Sequence, residues 1–302
     1  MDKMKGIDKH DYLNLFLGKE LSPTVKIEED NEKFLIGEGT FSYVLKGRME
    51  LMSKIMDVAI KIPKENIITD KRKINRFMIE ASNAAQLNHE NILKTFQPGI
   101  YIAKTQAGKI KVPYIMMELV KDTLYSIVTT EDKKKRIKEE EKTLFVLQVA
   151  RALDDALRKY NLLHGDIHPL NIFIKENQQG ERTALVGDWG LARLVMTGFS
   201  EEMQASSRGG NYSIKVSSKN LEGMLEHSSY VSKHTENKLD LNVFFPPEFL
   251  DRGEYDERSE VFALGALLAN LYFGRMNLGF REVKRLLDKQ SLKTKKPRLM
   301  KN

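Results

Sequence analysis

His164-Gly165-Asp166-Ile167-His168-Pro169-Leu170-Asn171 is the stretch on which the reading of this chain turns. It follows an apolar helical pattern and runs into the short apolar segment Ile172-Phe173-Ile174. Asp166 and Asn171, on a loop stiffened by Pro169, can aim two oxygen-bearing side chains at one point. A carboxylate there can take the proton of an attacking hydroxyl, and an amide oxygen can hold a hard cation. Phosphoryl transfer needs both, because that reaction is mostly positioning and charge neutralisation. Read alone, the same string also suits a polar turn closing a hairpin. Its neighbours decide between the two.

Upstream, a β pattern begins at Lys33, with Phe34-Leu35-Ile36, Ser42-Tyr43-Val44-Leu45 and Val58-Ala59-Ile60-Lys61-Ile62 as successive strands. Gly37-Glu38-Gly39-Thr40-Phe41-Ser42 joins the first two, and two glycines in a tight turn let backbone amides approach a phosphate. Such a turn is more often a plain hairpin. It gains force from Lys61, a lysine inside an apolar strand, which needs a partner anion. Asp70 can cap a helix running to about Leu87, with Ile74, Phe77, Met78 and Ala81 at helical spacing and Glu80 near that face. His89-Glu90-Asn91-Ile92 ends it. Tyr101-Ile102 and Tyr114-Ile115-Met116-Met117 then flank a turn at Gln106-Ala107-Gly108 and predict a hairpin. Glu118-Leu119-Val120-Lys121-Asp122 leaves the sheet, and everything beyond it reads as helical or irregular.

Residues 1–30 are polar apart from Tyr12, Leu13, Leu15, Phe16 and Leu17, and predict a short helix on the domain edge. Residues 131–142 are almost entirely charged and read as a solvated helical turn or loop. Val146, Val149, Leu153 and Leu157 form the apolar stripe of the helix that delivers the chain to His164. Ala184-Leu185-Val186-Gly187 and Asp188-Trp189-Gly190 end an apolar strand with an acid, which can offer a second carboxylate to the same cation. Residues 196–244 are Ser-, Lys- and Gly-rich with little periodicity, a long segment that is functional or mobile. Pro246-Pro247-Glu248-Phe249 closes it, and 261–273 predicts a buried helix.

The 302 residues, 41% apolar and 30% charged, describe a globular protein able to bury a large core, as one domain or two coupled lobes. No cysteine is present, which excludes disulfides and thiolate metal sites. The N-terminus has no apolar core for a signal peptide, and 261–273, broken by Gly265 and Asn270, is too short to span a bilayer. Met1-Asp2 lacks the glycine that myristoylation needs. A soluble, cytoplasmic protein is expected, with secretion into a host cell left open. The net charge of +7 favours acidic partners in general. Its only dense basic stretch, 284–301, carries no interleaved aromatic residue, so the nucleic-acid signal is weak and a solvated tail is expected. The six histidines show no metal-ligand spacing.

Together these motifs resemble the eukaryotic-type protein kinase family, over roughly residues 34–274. The resemblance implies an α+β, bilobal fold with a small antiparallel-sheet N-lobe and a mostly helical C-lobe. It implies an N-terminal extension at 1–30, an N-lobe at 31–118, a C-lobe at 119–280 with an activation segment at 188–248, and a basic tail at 281–302. Ile36, Gly37, Gly39, Ser42 and Val44 match the glycine-rich loop, with Ser42 where a third glycine often stands. Ala59 and Lys61 match the strand whose lysine holds the α- and β-phosphates of ATP, and Glu80 its helical ion-pair partner. Glu118 to Val120 would be the hinge that binds adenine through backbone groups, with Met117 the gatekeeper. Asp166 matches the catalytic base, and Asn171 and Asp188 the Mg²⁺ ligands.

The departures bear on function. Gly165 stands where many kinases have the Arg that receives an activation-segment phosphate. Activity is therefore expected not to depend on such a phosphate. A variant stripped of its Ser and Thr hydroxyls between 197 and 235 should keep its turnover in a phosphotransfer assay. His168 replaces the Lys usual in serine/threonine kinases, as a pH-sensitive phosphate contact or as a loop histidine without that role. His-Gly-Asp-Ile-His-Pro-x-Asn also resembles the loop of aminoglycoside-type phosphotransferases. Trp189 replaces the usual Phe, with the small Ala84 as a place for its bulk. Glu260 stands for the Asp that anchors the catalytic loop. Only 28 residues follow Gly274, where the family usually continues with further helices. The implied activity is ATP- and Mg²⁺-dependent transfer to a protein hydroxyl, serine or threonine before tyrosine. A small-molecule phosphotransferase, and a pseudokinase or interaction module taking a partner at 196–244, are the alternatives.

Overall fold

Asp8 accepts a hydrogen bond from the Asp11 amide and so starts α1 (Lys9–Asn14). The computed structural model describes residues 7–96, 98–106, 108–132, 137–189, 204–208, 211–215, 241–275, 278–279 and 281–286. After α1, β1 (Glu20–Ser22) and β2 (Val25–Ile27) pair as a hairpin. They join β3 (Leu35–Glu38), β4 (Ser42–Leu51), β5 (Lys54–Pro63), β6 (Gly99–Thr105) and β7 (Gly108–Glu118) in one seven-stranded antiparallel sheet. Its order is β1-β2-β4-β5-β7-β6, with β3 also on β4. The strands and the hairpin expected from alternation are therefore present.

Residues 1–30 hold more than the edge helix expected of them. Tyr12, Phe16, Leu21, Val25 and Ile27 are buried in the same core as Tyr43, Leu45 and Ile60. The two added strands are three residues each, too short for a period of two to be visible.

Between β5 and β6 run α2 (Glu65–Ile68) and α3 (Lys71–Gln86). Asp70 caps α3 as expected, accepting from the amides of Arg72 and Lys73. Phe77 and Ala81 pack on Ile115 of β7, which fixes the helix against the sheet. The segment after α3 then crosses to the second half of the molecule: Leu93 N donates to Val186 O at 2.9 Å and Val186 N to Asn91 O at 2.8 Å.

That second half is not purely helical or irregular, as the sequence suggests. β8 (Asp122–Thr123), β9 (Ile172–Glu176) and β10 (Arg182–Val186) form a small antiparallel sheet, order β10-β9-β8. Two-residue β8 has no readable pattern of its own. α4 (Leu124–Thr129) begins with a capping box of Thr123 and Ser126. α5 (Glu139–Tyr160) absorbs the end of the charged run, whose residues 133–136 lie outside the described residues. Three glutamates in its first turn and Arg158 and Lys159 in its last complement the helix dipole. Phe145, Val149, Ala152, Leu153 and Ala156 form its buried face.

Most of the expected activation segment and all of 287–302 lie outside the described residues. What is described of 196–244 includes two strands that its weak periodicity does not predict. β11 (Gln204–Arg208) pairs with β12 (Asn211–Lys215), and β12 pairs with β13 (Glu254–Asp256). A 3₁₀ turn (Leu241–Phe244) and α6 (Pro247–Arg252) follow the segment, with Pro247 in the first turn where its missing N–H costs nothing.

α7 (Glu257–Phe273), capped by Asp256, is only half buried. Ala263, Leu267 and Leu271 face the core with α5, whereas Val261 and Tyr272 are 65% and 56% exposed. An apolar pattern running all round a helix cannot reveal which side turns inward.

Candidate active site

β5 carries Lys61 opposite Val44 of β4 and Ile115 of β7, pointing it under the Gly37-Glu38-Gly39 turn. Its ammonium lies 2.6 Å from Glu80 Oε1 and 2.8 Å from Asp188 Oδ1. Burial pulls Lys61 down, but Asp188 and Glu80 together raise it above its ordinary value, so it stays charged. Burial pushes Glu80 up to about 7, with Asp188 adding to this and Lys61 opposing it. One lysine thus joins α3 to the acid at the end of β10.

Asp188 is held in a left-handed conformation, φ 55°, uncommon outside glycine. The preceding Gly187 fits only without a side chain: a Cβ there would lie 2.6 Å from the Phe173 ring. Gly187 N donates to Asn171 O at 2.9 Å. Gly187 O lies 3.0 Å from His164 Nε2, and Asp166 N donates to His164 Nδ1 at 3.2 Å. Nδ1 is therefore the acceptor and Nε2 carries the proton. Burial lowers the His164 pKa, which keeps the ring neutral in that tautomer.

Asn171 Nδ2 donates to Asp166 O at 2.9 Å and lies 3.2 Å from Asp166 Oδ2, leaving its Oδ1 for another partner. His168 Nε2 is 3.4 Å from the same Oδ2 and 3.0 Å from Asn171 Nδ2. Beneath the loop, Glu260 of α7 accepts from His164 N and from Gly165 N, the latter at 3.2 Å.

A cleft of about 480 Å³ opens between the large sheet and this loop. Ile36, Gly37, Gly39, Ser42, Val44, Ala59, Lys61, Glu80, Met117, Glu118, Val120, His168, Asn171 and Asp188 all line it. Asp166 stands just behind, reached through Asn171 and His168. Glu118 turns its side chain out of the cleft: Oε1 accepts from Lys94 N at 2.9 Å and Oε2 from Lys175 Nζ at 2.6 Å. Its amide already donates to Lys94 O, so its carbonyl is what it can offer a ligand. Thr95, Thr123, Leu170 and Phe173 also line the cleft and were not among the expected residues. Leu170 could have been found, since it sits between Pro169 and Asn171. The others carry no motif.

Trp189 is buried in one cluster with Ala84, beside the His164 ring at 4.6 Å. Its indole N–H donates to Val186 O at 3.4 Å. Trp189→Phe removes one ring and that donor from a packed site and should cost about 1–2 kcal/mol in chemical denaturation. An unchanged midpoint would dissolve the link between the bulk of Trp189 and the smallness of Ala84.

Among the described residues no group of three or more His, Cys, Asp or Glu could hold a metal by itself. Mg²⁺ does not require one, since it binds through one or two protein oxygens and completes its shell with phosphate and water. Asn171 Oδ1 and the Asp188 carboxylate, both at the cleft, fit that pattern. Among the described residues no helix is long and apolar enough to cross a membrane.

The sequence model of the family described as protein tyrosine and serine/threonine kinase matches residues 31–209. Serine/threonine-protein kinase pkn3 of Myxococcus xanthus is 25% identical over 260 residues, 86% of this chain and 39% of that protein. Serine/threonine-protein kinase PknB of Mycolicibacterium smegmatis is 34% identical over 220 residues, 72% of this chain and 28% of that protein. The chain thus spans well under half the length of these relatives. The crystal structure of the PknI kinase domain of Mycobacterium tuberculosis superimposes with a TM-score of 0.51 at 18% identity, covering 86% of this chain and 77% of that one. That likeness is one of fold.

Proposed function

The chain belongs to the protein tyrosine and serine/threonine kinase family, and from that premise we propose that it transfers the γ-phosphoryl group of ATP to a protein hydroxyl, serine or threonine before tyrosine. The observation that carries this is the meeting of Lys61, Glu80 and Asp188 in front of Asp166 and Asn171. The two bacterial relatives are named serine/threonine kinases, which favours that acceptor class.

In this reading the sheet and the helical half are the two lobes, divided near Glu118, and the adenine lies between them. Ile36, Val44 and Ala59 cover it from above, Met117 stands behind, and the backbone of Glu118 and Val120 offers hydrogen bonds at the edge. The turn at 37–42 covers the phosphates with backbone amides. Lys61, kept charged and aimed by Glu80, holds the α- and β-phosphates. Asn171 Oδ1 and Asp188 would hold Mg²⁺, which neutralises the phosphate oxygens when bound. Asp166 accepts the proton of the attacking hydroxyl, and His168 and Asn171 keep its carboxylate turned towards the cleft. Residues 196–244 would carry the protein substrate or another partner.

Transfer of labelled γ-phosphate from Mg-ATP to a generic protein acceptor tests the proposal. Label appearing on small hydroxyl-bearing metabolites and never on protein would move the acceptor to the small-molecule class that the His-Gly-Asp-Ile-His-Pro motif resembles. ATP bound but never consumed would leave a binding module.

A further inference from the structure

Glu38 is the one charged side chain between the two glycines of the phosphate turn, and it lines the cleft. A carboxylate in that position repels a polyphosphate unless cations neutralise it. Two do so: Lys64 Nζ lies 2.7 Å from Glu38 Oε1, and Lys9 Nζ lies 2.6 Å from Oε2. Partial burial pushes the Glu38 carboxyl up, but the two lysines outweigh it and hold it below its ordinary range.

Lys64 comes from the end of the sheet. Lys9 comes from α1, which precedes the residues matched by the family. Its helix is nonetheless fixed. Tyr12, fully buried, donates to Pro63 O at 2.7 Å and packs against Phe16 and Tyr43, with centroids at 5.4 and 6.3 Å. The Tyr43 ring lies beneath both ammonium groups, 5.6 Å from Lys9 and 5.0 Å from Lys64. Two backbone bonds also hold the turn: Gly39 N donates to Ser42 O at 2.8 Å, and Lys64 N donates to Phe41 O at 3.0 Å from the end of the sheet.

Resting on the kinase reading of the cleft, we infer that α1 is part of the nucleotide site: Lys9 is a positioning residue that holds Glu38, and through it the phosphate turn, in the conformation that receives ATP. The N-terminal helix then sets ATP affinity without touching ATP.

Lys9 is 48% exposed on its side chain, so its removal leaves the core intact. Lys9→Ala should raise KM for ATP by about two- to fivefold, the range of a solvent-accessible ion pair, with kcat and the melting temperature unchanged. Lys9→Arg should match the parent and Lys9→Glu should exceed the Ala effect. The Ala effect should shrink in high salt, where the Debye length falls to about 3 Å. In the ATP-free protein, amide hydrogen exchange at 38–42 should quicken in Lys9→Ala and not in Lys9→Arg. Unchanged exchange in Lys9→Ala and Lys9→Glu overturns the inference, and this arm stands even if the parent binds no ATP, an outcome that would sink the kinase reading instead. Faster exchange at an unchanged KM also overturns it, because the pin would then be structural only. A KM effect shared by Lys9→Arg with a lower melting temperature would assign it to α1 packing, against the inference.

Discussion

Asp166→Asn is expected to lower kcat for phosphate transfer by about 10²–10⁴-fold while leaving the affinity for ATP where it was. The substitution keeps the shape of the side chain beside Asn171 and His168, and removes its negative charge and with it the ability to take a proton. Asp166 stands behind Asn171 and His168, which line the cleft, so ATP should sense the change little. Its backbone anchors are separate from its carboxylate: the amide donates to His164 Nδ1 and the carbonyl accepts from Asn171 Nδ2. The loop therefore has no reason to move. ATP binding by calorimetry beside single-turnover transfer separates the two effects. A parallel fall in both would mean that Asp166 holds the site together rather than acting in the reaction.

Glu260→Ala should cost about 4 kcal/mol of stability, because it strands the buried amides of His164 and Gly165. Glu260→Gln should cost little. Burial raises the Glu260 carboxyl from the ordinary 4.5 to about 8, against the pull of the two amides that donate to it. At neutral pH it is then an uncharged acceptor, which glutamine reproduces. The linkage has a definite sign. The folded protein keeps this proton up to about pH 8 and the unfolded chain releases it near 4.5, so between these values the folded state binds more protons. Stability from this group is complete below 4.5 and is lost as the pH rises to about 8, by at most about 1.4 kcal/mol per unit. Urea denaturation at several pH values should display that slope in the parent and lose it in Glu260→Gln. A costly Gln variant, or a slope that survives it, would show that Glu260 is ionised in the folded protein.

What the sequence discloses and what it withholds follow physical lines. Lys61 was legible because a charge inside an apolar strand demands a partner, and Glu80 was legible because it sits near the face of the helix that packs on the sheet. Asp70 was legible as a cap because capping is local. The loop at 164–171 was legible because its candidate chemistry is packed into eight consecutive residues. The strands at 20–27 were not, since three residues cannot establish an alternation. The turned-out side chain of Glu118 was not, because its partners Lys94 and Lys175 are distant in sequence. The same holds for Lys9 and Glu38, 29 residues apart. The buried side of α7 could not be read from a helix apolar on every side.

The pairing of β12 with β13 has a further meaning. Ser213, Ile214 and Lys215 face Asp256, Tyr255 and Glu254 through a ladder of main-chain bonds, just ahead of the helix that carries Glu260. A grip of that kind is deaf to the identity of the side chains it holds. Nineteen of the twenty residue types can bring the N–H that such a ribbon needs. It has a single blind spot: proline, which brings no N–H to the ladder.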